Sequence, residues 1–262
     1  MIGIRLYDKI FAHASCVGNN YETCPKHFRW VRSGGDLPVC VFTDFSLESV
    51  ADCKGAVKIA WLVESPEVFP GPYQKVREIE GEFDAIFTFS TELLARGPKY
   101  MYAPLGGCWI KHPEIRPKSK GTSMVLSTKK KTSGQALRHE IMDITTGVDF
   151  YGAGAGLPIK DKGDALFDYR YSIAIENTRH DCYFSEKLID CFATGTIPIY
   201  WGSPLVLKMF DPHGIRMLWE PEDFEYEDAQ QAIRNNFEIA KRYMNTEDRL
   251  WEDHLREIVE GA

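Results

Sequence analysis

The sequence predicts an α/β protein built from two domains with parallel sheets. Along most of the 262 residues, short runs of β-branched and aromatic residues alternate with segments of helical periodicity, as in sheets covered by helices. Residues 111–122 interrupt this alternation, because they are polar, contain two prolines and one glycine, and lack periodicity. The pattern then restarts. We therefore expect an N-terminal domain over 1–110, a linker over 111–122 and a C-terminal domain over 123–262, whose last helix could pack back on the N-terminal domain.

In the first half, strands are predicted where apolar runs end in turn residues. The predicted strands are 2–6, 39–43, 57–63, 85–89 and 101–104. Helices are predicted within 19–32, near Leu47, over 74–80 and near Leu93.

In the second half, the predicted strands are 124–127, 148–151, 169–175 and 197–201. Helices are predicted over 134–144, 227–243 and 246–259, and between Ser185 and Gly195. Ser185 occupies the N-cap position of its helix, and Gly195 is expected to end it.

Composition restricts the class of protein. The hydrophobic content of 44% is typical of globular proteins, and no run of 18 apolar residues is present. The first residues lack the layout of a signal peptide, and the seven cysteines form no CxxC pair that would suggest structural zinc. We expect a soluble cytoplasmic protein of bacterial or viral origin with free thiols. The net charge of −7 argues against a nucleic-acid partner without excluding one.

The most informative segment is 168–204, in which two buried strands flank a polar loop and a capped helix. The first strand ends in Ile175-Glu176-Asn177-Thr178, and Lys187 lies in the first turn of the helix. A helix N-terminus presents free backbone N–H groups, and a lysine there adds positive charge. The segment therefore predicts a site for an anion such as a diphosphate.

This segment resembles glycosyltransferase family 10, the α1,3/α1,4-fucosyltransferases. The resemblance rests on Ile175-Glu176-Asn177-Thr178, Tyr183-Phe184-Ser185-Glu186-Lys187 and Ile197-Pro198-Ile199-Tyr200-Trp201-Gly202. Ile175 replaces a phenylalanine of the family pattern, and Ser185 replaces a threonine but keeps the capping hydroxyl. The resemblance implies a GT-B fold, in which two Rossmann-like domains face each other across a cleft and the C-terminal domain binds the sugar nucleotide.

Together the resemblance and the chemistry nominate the residues that bind the donor. Lys187, Tyr183 and Arg138 are expected at the phosphates, where a planar guanidinium suits two oxygens at once. Glu186 is expected to accept hydrogen bonds from the ribose hydroxyls. The remaining candidates for the donor site are Glu176, Asn177 and Ser127. Simpler interpretations stay open: a solvated helix face for Arg138, a partner of the helix dipole for Glu186, and a turn cap for Asn177.

On the acceptor side, Glu64 is the candidate general base. It follows an apolar strand and begins Glu64-Ser65-Pro66-Glu67, which matches an acidic tripeptide of the family. Glu67 is the local competitor and a possible acceptor-binding residue, and either acid could simply lie at the surface. Trp109, which follows a Gly-Gly turn, is a candidate for stacking on a sugar ring or a core residue.

One base without a nucleophile partner implies a single displacement with inversion at the anomeric carbon. No Asp-x-Asp motif ends a strand, so we expect no essential divalent metal and no cofactor. The leading hypothesis is therefore an inverting fucosyltransferase that moves fucose from GDP-fucose to a glycan hydroxyl. Two alternatives remain: a GT-B transferase with another sugar nucleotide or a non-glycan acceptor such as a modified base, and a non-catalytic protein that binds nucleotide sugars.

Overall fold

The computed structural model describes residues 1–11, 15–17, 23–34, 37–53, 57–220 and 224–262. These residues form two compact units. Unit 1 consists of residues 1–105 together with 245–262, and unit 2 consists of residues 106–244. The chain thus leaves unit 1 after its sheet, builds unit 2, and returns to unit 1 for its last helices.

Unit 1 contains a six-stranded sheet with the strand order β2-β1-β3-β4-β5-β6, in which every neighbouring pair is parallel. The strands are β1 (Ile2–Tyr7), β2 (Phe28–Val31), β3 (Val39–Thr43), β4 (Val57–Trp61), β5 (Ala85–Thr88) and β6 (Tyr100–Tyr102). Apolar side chains on both faces form two buried clusters, as expected for strands whose residues are buried on both sides.

The helices of unit 1 are α1 (Pro70–Glu78), α2 (Thr91–Leu94), α7 (Thr246–Leu250) and α8 (Arg256–Glu260), with a π-helical turn over Trp251–Leu255 between the last two. The segment near Leu47 forms a 3₁₀ helix, Asp44–Asp52. The predicted helix within 19–32 is wrong over Phe28–Val31, which forms β2. Residues 19–22 of that prediction lie outside the described residues. Aromatic and β-branched side chains favour a strand there, and pairing with β1 provides its hydrogen bonds.

Unit 2 contains a five-stranded parallel sheet with the order β11-β10-β9-β7-β8. The strands are β7 (Lys120–Val125), β8 (Val148–Tyr151), β9 (Tyr169–Ile175), β10 (Ile197–Trp201) and β11 (Arg216–Met217). Strand β7 begins at Lys120, within the stretch interpreted above as a linker, because its backbone pairs with β9 from Lys120 onward.

The helices of unit 2 are α3 (Ser133–Ile144), α4 (Glu186–Thr194), α5 (Val206–Met209) and α6 (Gln230–Ala240). Helix α4 is capped as its sequence predicts. The Ser185 hydroxyl accepts a hydrogen bond from the Lys187 N–H, and Gly195 ends the helix with a φ of +68°, a left-handed conformation that favours glycine. The apolar face of α4 packs into the main core of unit 2. The predicted α/β class with parallel sheets is therefore confirmed.

None of the helices in the described part of the chain combines the length and the apolar character needed to cross a bilayer.

Candidate active site

The carboxyl end of β9 holds the N-termini of two helices. The Gly134 N–H, in the first turn of α3, donates to the Asn177 carbonyl at 3.0 Å. The Glu176 carboxylate accepts from the Ser185 N–H at 2.9 Å and from its hydroxyl at 2.5 Å, at the start of α4. Both helices therefore direct their electropositive ends toward one strand end, which is a favourable place for an anion.

The start of α3 depends on a glycine and a capping box. Thr132 accepts from the Gln135 N–H, while the Gln135 side chain accepts from the Thr132 N–H. A Cβ atom on Gly134 would lie 1.9 Å from the Glu176 carbonyl oxygen. Only glycine therefore lets α3 approach the strand end this closely.

Arg138 lies on α3 and is only 6% exposed. Its Nε and Nη2 atoms donate to the Ile175 carbonyl at 3.0 and 2.5 Å, and Nη2 also donates to Asn177 Oδ1 at 3.0 Å. Burial lowers the pKa of the guanidinium, but a guanidinium stays protonated in proteins. Arg138 thus brings a buried positive charge to the strand end, and its Nη1 atom takes part in none of these three bonds.

Glu176 is fully buried, and its carboxylate contacts neighbouring side chains. Besides Ser185, it accepts a hydrogen bond from the Tyr200 hydroxyl at 3.4 Å, and Lys187 Nζ lies 3.9 Å away. Burial raises the pKa of Glu176, and the charge of Lys187 opposes that rise. The structure therefore uses this carboxylate to hold the start of α4, and its contact with a sugar stays a prediction.

Lys187 and Glu186 lie side by side on the first turn of α4. Lys187 Nζ contacts Glu186 Oε1 at 2.9 Å and the Ser185 hydroxyl at 3.2 Å. Lys162 Nζ reaches the same Glu186 oxygen at 3.3 Å and Asp190 Oδ2 at 2.9 Å. Two lysines and two acids thus alternate along one edge of the helix.

These lysines control the charge of Glu186. Burial alone would raise the pKa of this carboxyl, but Lys187 and Lys162 outweigh burial and lower it below its usual value. For Asp190, burial dominates and raises the pKa against the charge of Lys162. Glu186 is therefore a stable carboxylate, able to accept hydrogen bonds from hydroxyl groups.

Three further candidates lie in unit 2, and Trp109 among them contacts this network. Trp109 is half-buried, and its backbone N–H donates to Asp190 Oδ1 at 2.7 Å. Lys162 Nζ lies 5.7 Å from the centroid of its ring. Tyr183 is 1% exposed, and its N–H donates to the His180 carbonyl. Ser127 is exposed, and its carbonyl is hydrogen-bonded to His139 Nε2 at 3.0 Å.

Sequence reasoning missed Lys162 and Asp190. Asp190 lies one helical turn after Glu186 and could have been found from that spacing on α4. Lys162 lies in a 3₁₀ helix, Lys162–Ala165, in a loop region before β9. Nothing in its local sequence indicates that it approaches a residue 24 positions later.

In unit 1, Glu64 follows the carboxyl end of β4 on a backbone fixed by three contacts. The Leu62 N–H donates to the Phe87 carbonyl at 2.9 Å, and the Val63 N–H donates to Asp44 Oδ1 at 3.0 Å. The Tyr73 hydroxyl donates to the Glu64 carbonyl at 2.9 Å. Glu64 itself is half-buried, whereas Glu67 is exposed.

Asp44 is a second acid beside Glu64 that sequence reasoning missed. It follows β3 with a φ of +32°, and its side chain is 2% exposed. Burial raises the pKa of Asp44 to about 8, and the neighbouring Glu64 contributes to the rise. With a pKa about one unit above neutral pH, Asp44 is mostly protonated at pH 7, and its Oδ1 atom accepts the Val63 N–H just beyond the end of β4.

In the ranges that the structure describes, no three His, Cys, Asp or Glu side chains are grouped so that they could hold a metal ion.

Comparison with known proteins gives a family match for unit 2. Residues 115–214 match the family model described as "Glycosyltransferase family 10 (fucosyltransferase) C-term". The chain is 39% identical over 70 residues to the α-(1,3)-fucosyltransferase FucT of Helicobacter pylori and 37% identical over 51 residues to an α-(1,4)-fucosyltransferase of Arabidopsis thaliana. These stretches cover 27% and 20% of this chain, but only 15% and 13% of the two relatives.

Solved structures extend the similarity to the whole fold. A crystal structure of an α1,3-fucosyltransferase with GDP-fucose has a TM-score of 0.55 at 16% identity, covering 99% of this chain and 90% of that one. An α1,3-fucosyltransferase with GDP has a TM-score of 0.54 at 19% identity, with coverages of 89% and 81%. The predicted GT-B fold is thereby confirmed. Residues 115–214, which include the end of β9 and the start of α4, are thus the part of this chain that is similar to glycosyltransferase family 10.

Proposed function

We propose that the protein is an inverting fucosyltransferase that transfers fucose from GDP-fucose to a hydroxyl group of a glycan. The observation that carries the proposal is the end of β9, where two helix N-termini, Arg138 and Lys187 come together within the stretch matched by the family model. The fold shared with an α1,3-fucosyltransferase solved with GDP-fucose supports the same donor.

At the donor, the diphosphate would bind where α3 and α4 begin. Lys187 and Arg138 would neutralise the negative charge that develops on GDP as the bond to fucose breaks. Tyr183, four residues before Lys187, would add a phenolic donor, and Glu186 would accept hydrogen bonds from the ribose hydroxyls. Because positive charge already comes from these side chains and helix ends, we expect no divalent metal to be essential.

At the acceptor, Glu64 would act as the general base. It would remove the proton from the attacking hydroxyl while that oxygen forms a bond to the anomeric carbon, and the bond to the β-phosphate would break with its electron pair leaving on GDP. A single displacement of this kind inverts the anomeric configuration. The rigid backbone around Glu64 suits this role, since a base must be held in a fixed position.

The proposal is tested first by ligand-induced thermal stabilisation with GDP, UDP and CMP, without metal. A ligand at 100 times its Kd stabilises the native state by about 2.7 kcal/mol, which shifts Tm by several degrees. We expect a shift with GDP that is lost in Lys187→Ala and kept in Lys208→Ala, an exposed lysine on α5. A shift with UDP alone would exclude fucose as the donor sugar, and no shift with any nucleotide would contradict the enzyme assignment.

Activity in the presence of a chelator tests the metal prediction. Fucose transfer from GDP-fucose should continue in excess EDTA. An activity that collapses in EDTA and returns with manganese would contradict the proposed mechanism of leaving-group stabilisation.

A further inference from the structure

Lys162 and Asp190 have no role in the mechanism described so far, although both are held in defined geometry. Asp190 is 2% exposed, and its two oxygens are used separately: Oδ1 accepts from the Trp109 N–H at 2.7 Å, and Oδ2 binds Lys162 Nζ at 2.9 Å. An ion pair between a buried acid and a half-buried lysine is weak evidence for stability alone, since desolvation of the charges offsets much of their attraction. The pair therefore requires an explanation other than stability.

The explanation lies in how Lys162 contacts Glu186. Lys162 Nζ lies 3.3 Å from Glu186 Oε1, and Lys187 Nζ lies 2.9 Å from the same oxygen. Oε2 takes part in neither of these contacts. Both lysines thus bind the carboxylate through Oε1. This fixes the direction of Oε2, which could then accept hydrogen bonds from a ligand.

The two lysines differ in what else they can do. Lys187 lies on the first turn of α4, where an incoming phosphate would compete with Glu186 for its ammonium group. Lys162 lies outside α4, and Asp190 holds it, so it can keep its contact with Glu186 when Lys187 turns to a phosphate. Such a second, independent cation would keep the carboxylate in position to face ribose hydroxyls while the diphosphate occupies Lys187.

We propose that Lys162, held by Asp190, is a positioning residue that orients Glu186 toward the two ribose hydroxyls of the nucleotide. This inference rests on the proposed function, because it assumes a nucleoside diphosphate bound at the start of α4. It predicts that loss of Lys162 removes selectivity for the ribose while leaving the diphosphate contacts in place.

The test compares GDP with 2′,3′-dideoxy-GDP, which keeps the base and the diphosphate but lacks both hydroxyls. Hydrogen bonds to a charged group make about a tenfold or larger difference in affinity, so the intact protein should bind GDP at least about tenfold more tightly. In Lys162→Met this ratio should fall below about threefold, mainly because GDP binds more weakly. Isothermal titration calorimetry on the full chain gives both Kd values.

Three variants serve as controls. Lys162→Arg keeps the positive charge and should retain most of the ratio, and Lys160→Met alters an exposed lysine two residues away and should leave it unchanged. Asp190→Asn keeps an acceptor for the Trp109 N–H but removes the charge that holds Lys162, so the ratio should fall partway. If Lys162→Met does not fold, Asp190→Asn alone decides the question.

The outcomes separate this inference from the proposed function. If the intact protein binds neither nucleotide, the donor assignment itself fails. If it binds GDP selectively and the ratio is the same in Lys162→Met and Asp190→Asn, the positioning role is wrong while the donor assignment stands. Equal weakening of both nucleotides in Lys162→Met would likewise assign Lys162 to the phosphates or to the fold and overturn its role at the ribose.

Discussion

Two pairs of acidic residues, Glu186 and Asp190 in unit 2 and Asp44 and Glu247 in unit 1, have different electrostatic partners. In unit 2, Glu186 and Asp190 are bound by lysine ammonium groups. In unit 1, the buried oxygens of Asp44 and Glu247 accept hydrogen bonds from neutral groups: Val63 for Asp44, and Val17 and the Trp30 indole for Glu247. Burial raises the pKa of Asp44 to about 8 and that of Glu247 to about 7.

The difference shows that burial and neighbouring cations act in opposite directions on the pKa of an acidic side chain. At Glu186, two lysines lower the pKa and keep the carboxylate charged, and Lys187 is proposed to bind a phosphate as well. At Asp44, burial keeps the acid mostly neutral, and a half-buried neighbour such as Glu64 meets little competing negative charge from it.

The largest effect is expected at Glu64 in unit 1. Glu64→Gln removes the proton acceptor while keeping the size of the side chain, so kcat for fucose transfer should fall by about 10²- to 10⁴-fold. GDP affinity should stay unchanged, because the proposed nucleotide contacts lie in unit 2. Steady-state kinetics together with GDP titration measures both quantities.

The exposed Glu67 supplies the matched control for this prediction. Glu67→Gln should keep kcat within a few-fold of the unaltered protein, although KM for the acceptor could change. A large loss of kcat in Glu67→Gln, with Glu64→Gln remaining active, would transfer the role of the base to Glu67.

The next effect concerns the buried cation at the end of β9. Arg138→Met leaves the Ile175 carbonyl and Asn177 Oδ1 without their guanidinium donor, so the free energy of unfolding should fall by about 3 kcal/mol. Chemical denaturation measures the change. Arg170→Met breaks a surface pair with Glu227 and should cost less than about 1 kcal/mol. Equal losses in the two variants would mean that the buried guanidinium has no special structural role.

The smallest predicted effect is a gain in the free energy of unfolding, and it depends on pH. The pKa of Glu247 is about 7 in the folded protein against 4.5 ordinarily, so the native state holds this proton more tightly. The stability that this proton contributes is fully present below pH 4.5 and is lost as the pH rises through 7. Glu247→Gln removes this loss, and it should raise the free energy of unfolding by about 2 kcal/mol at pH 8 and by little at pH 4.

Urea titrations at the two pH values measure that difference. Glu260→Gln, at an exposed position of α8, should show no such pH-dependent gain. If Glu247→Gln destabilises the protein equally at both pH values, Glu247 is charged in the folded state and the contrast between the units fails at this residue.

The parts of the structure that were predictable are those whose signals are local. The ends of α4 follow from Ser185 and Gly195, and β9 and β10 follow from their β-branched runs. The prediction failed at Phe28–Val31, where pairing with β1 made a strand of residues assigned to a helix. Short segments of this kind take their conformation from a partner strand, and the partner is not visible in the local sequence.

The sequence by itself determined the parallel α/β architecture and the capped start of α4, because both depend on neighbours along the chain. The resemblance to a known family added the proposed roles of Arg138, Glu186, Lys187 and Glu64. Only the tertiary structure decided that Lys162 reaches Glu186, that Glu176 is used to hold Ser185, and that Asp44 supports the backbone before Glu64. Such contacts join segments far apart in sequence. Their energies depend on burial and on the direction of each side chain, which a one-dimensional pattern does not encode.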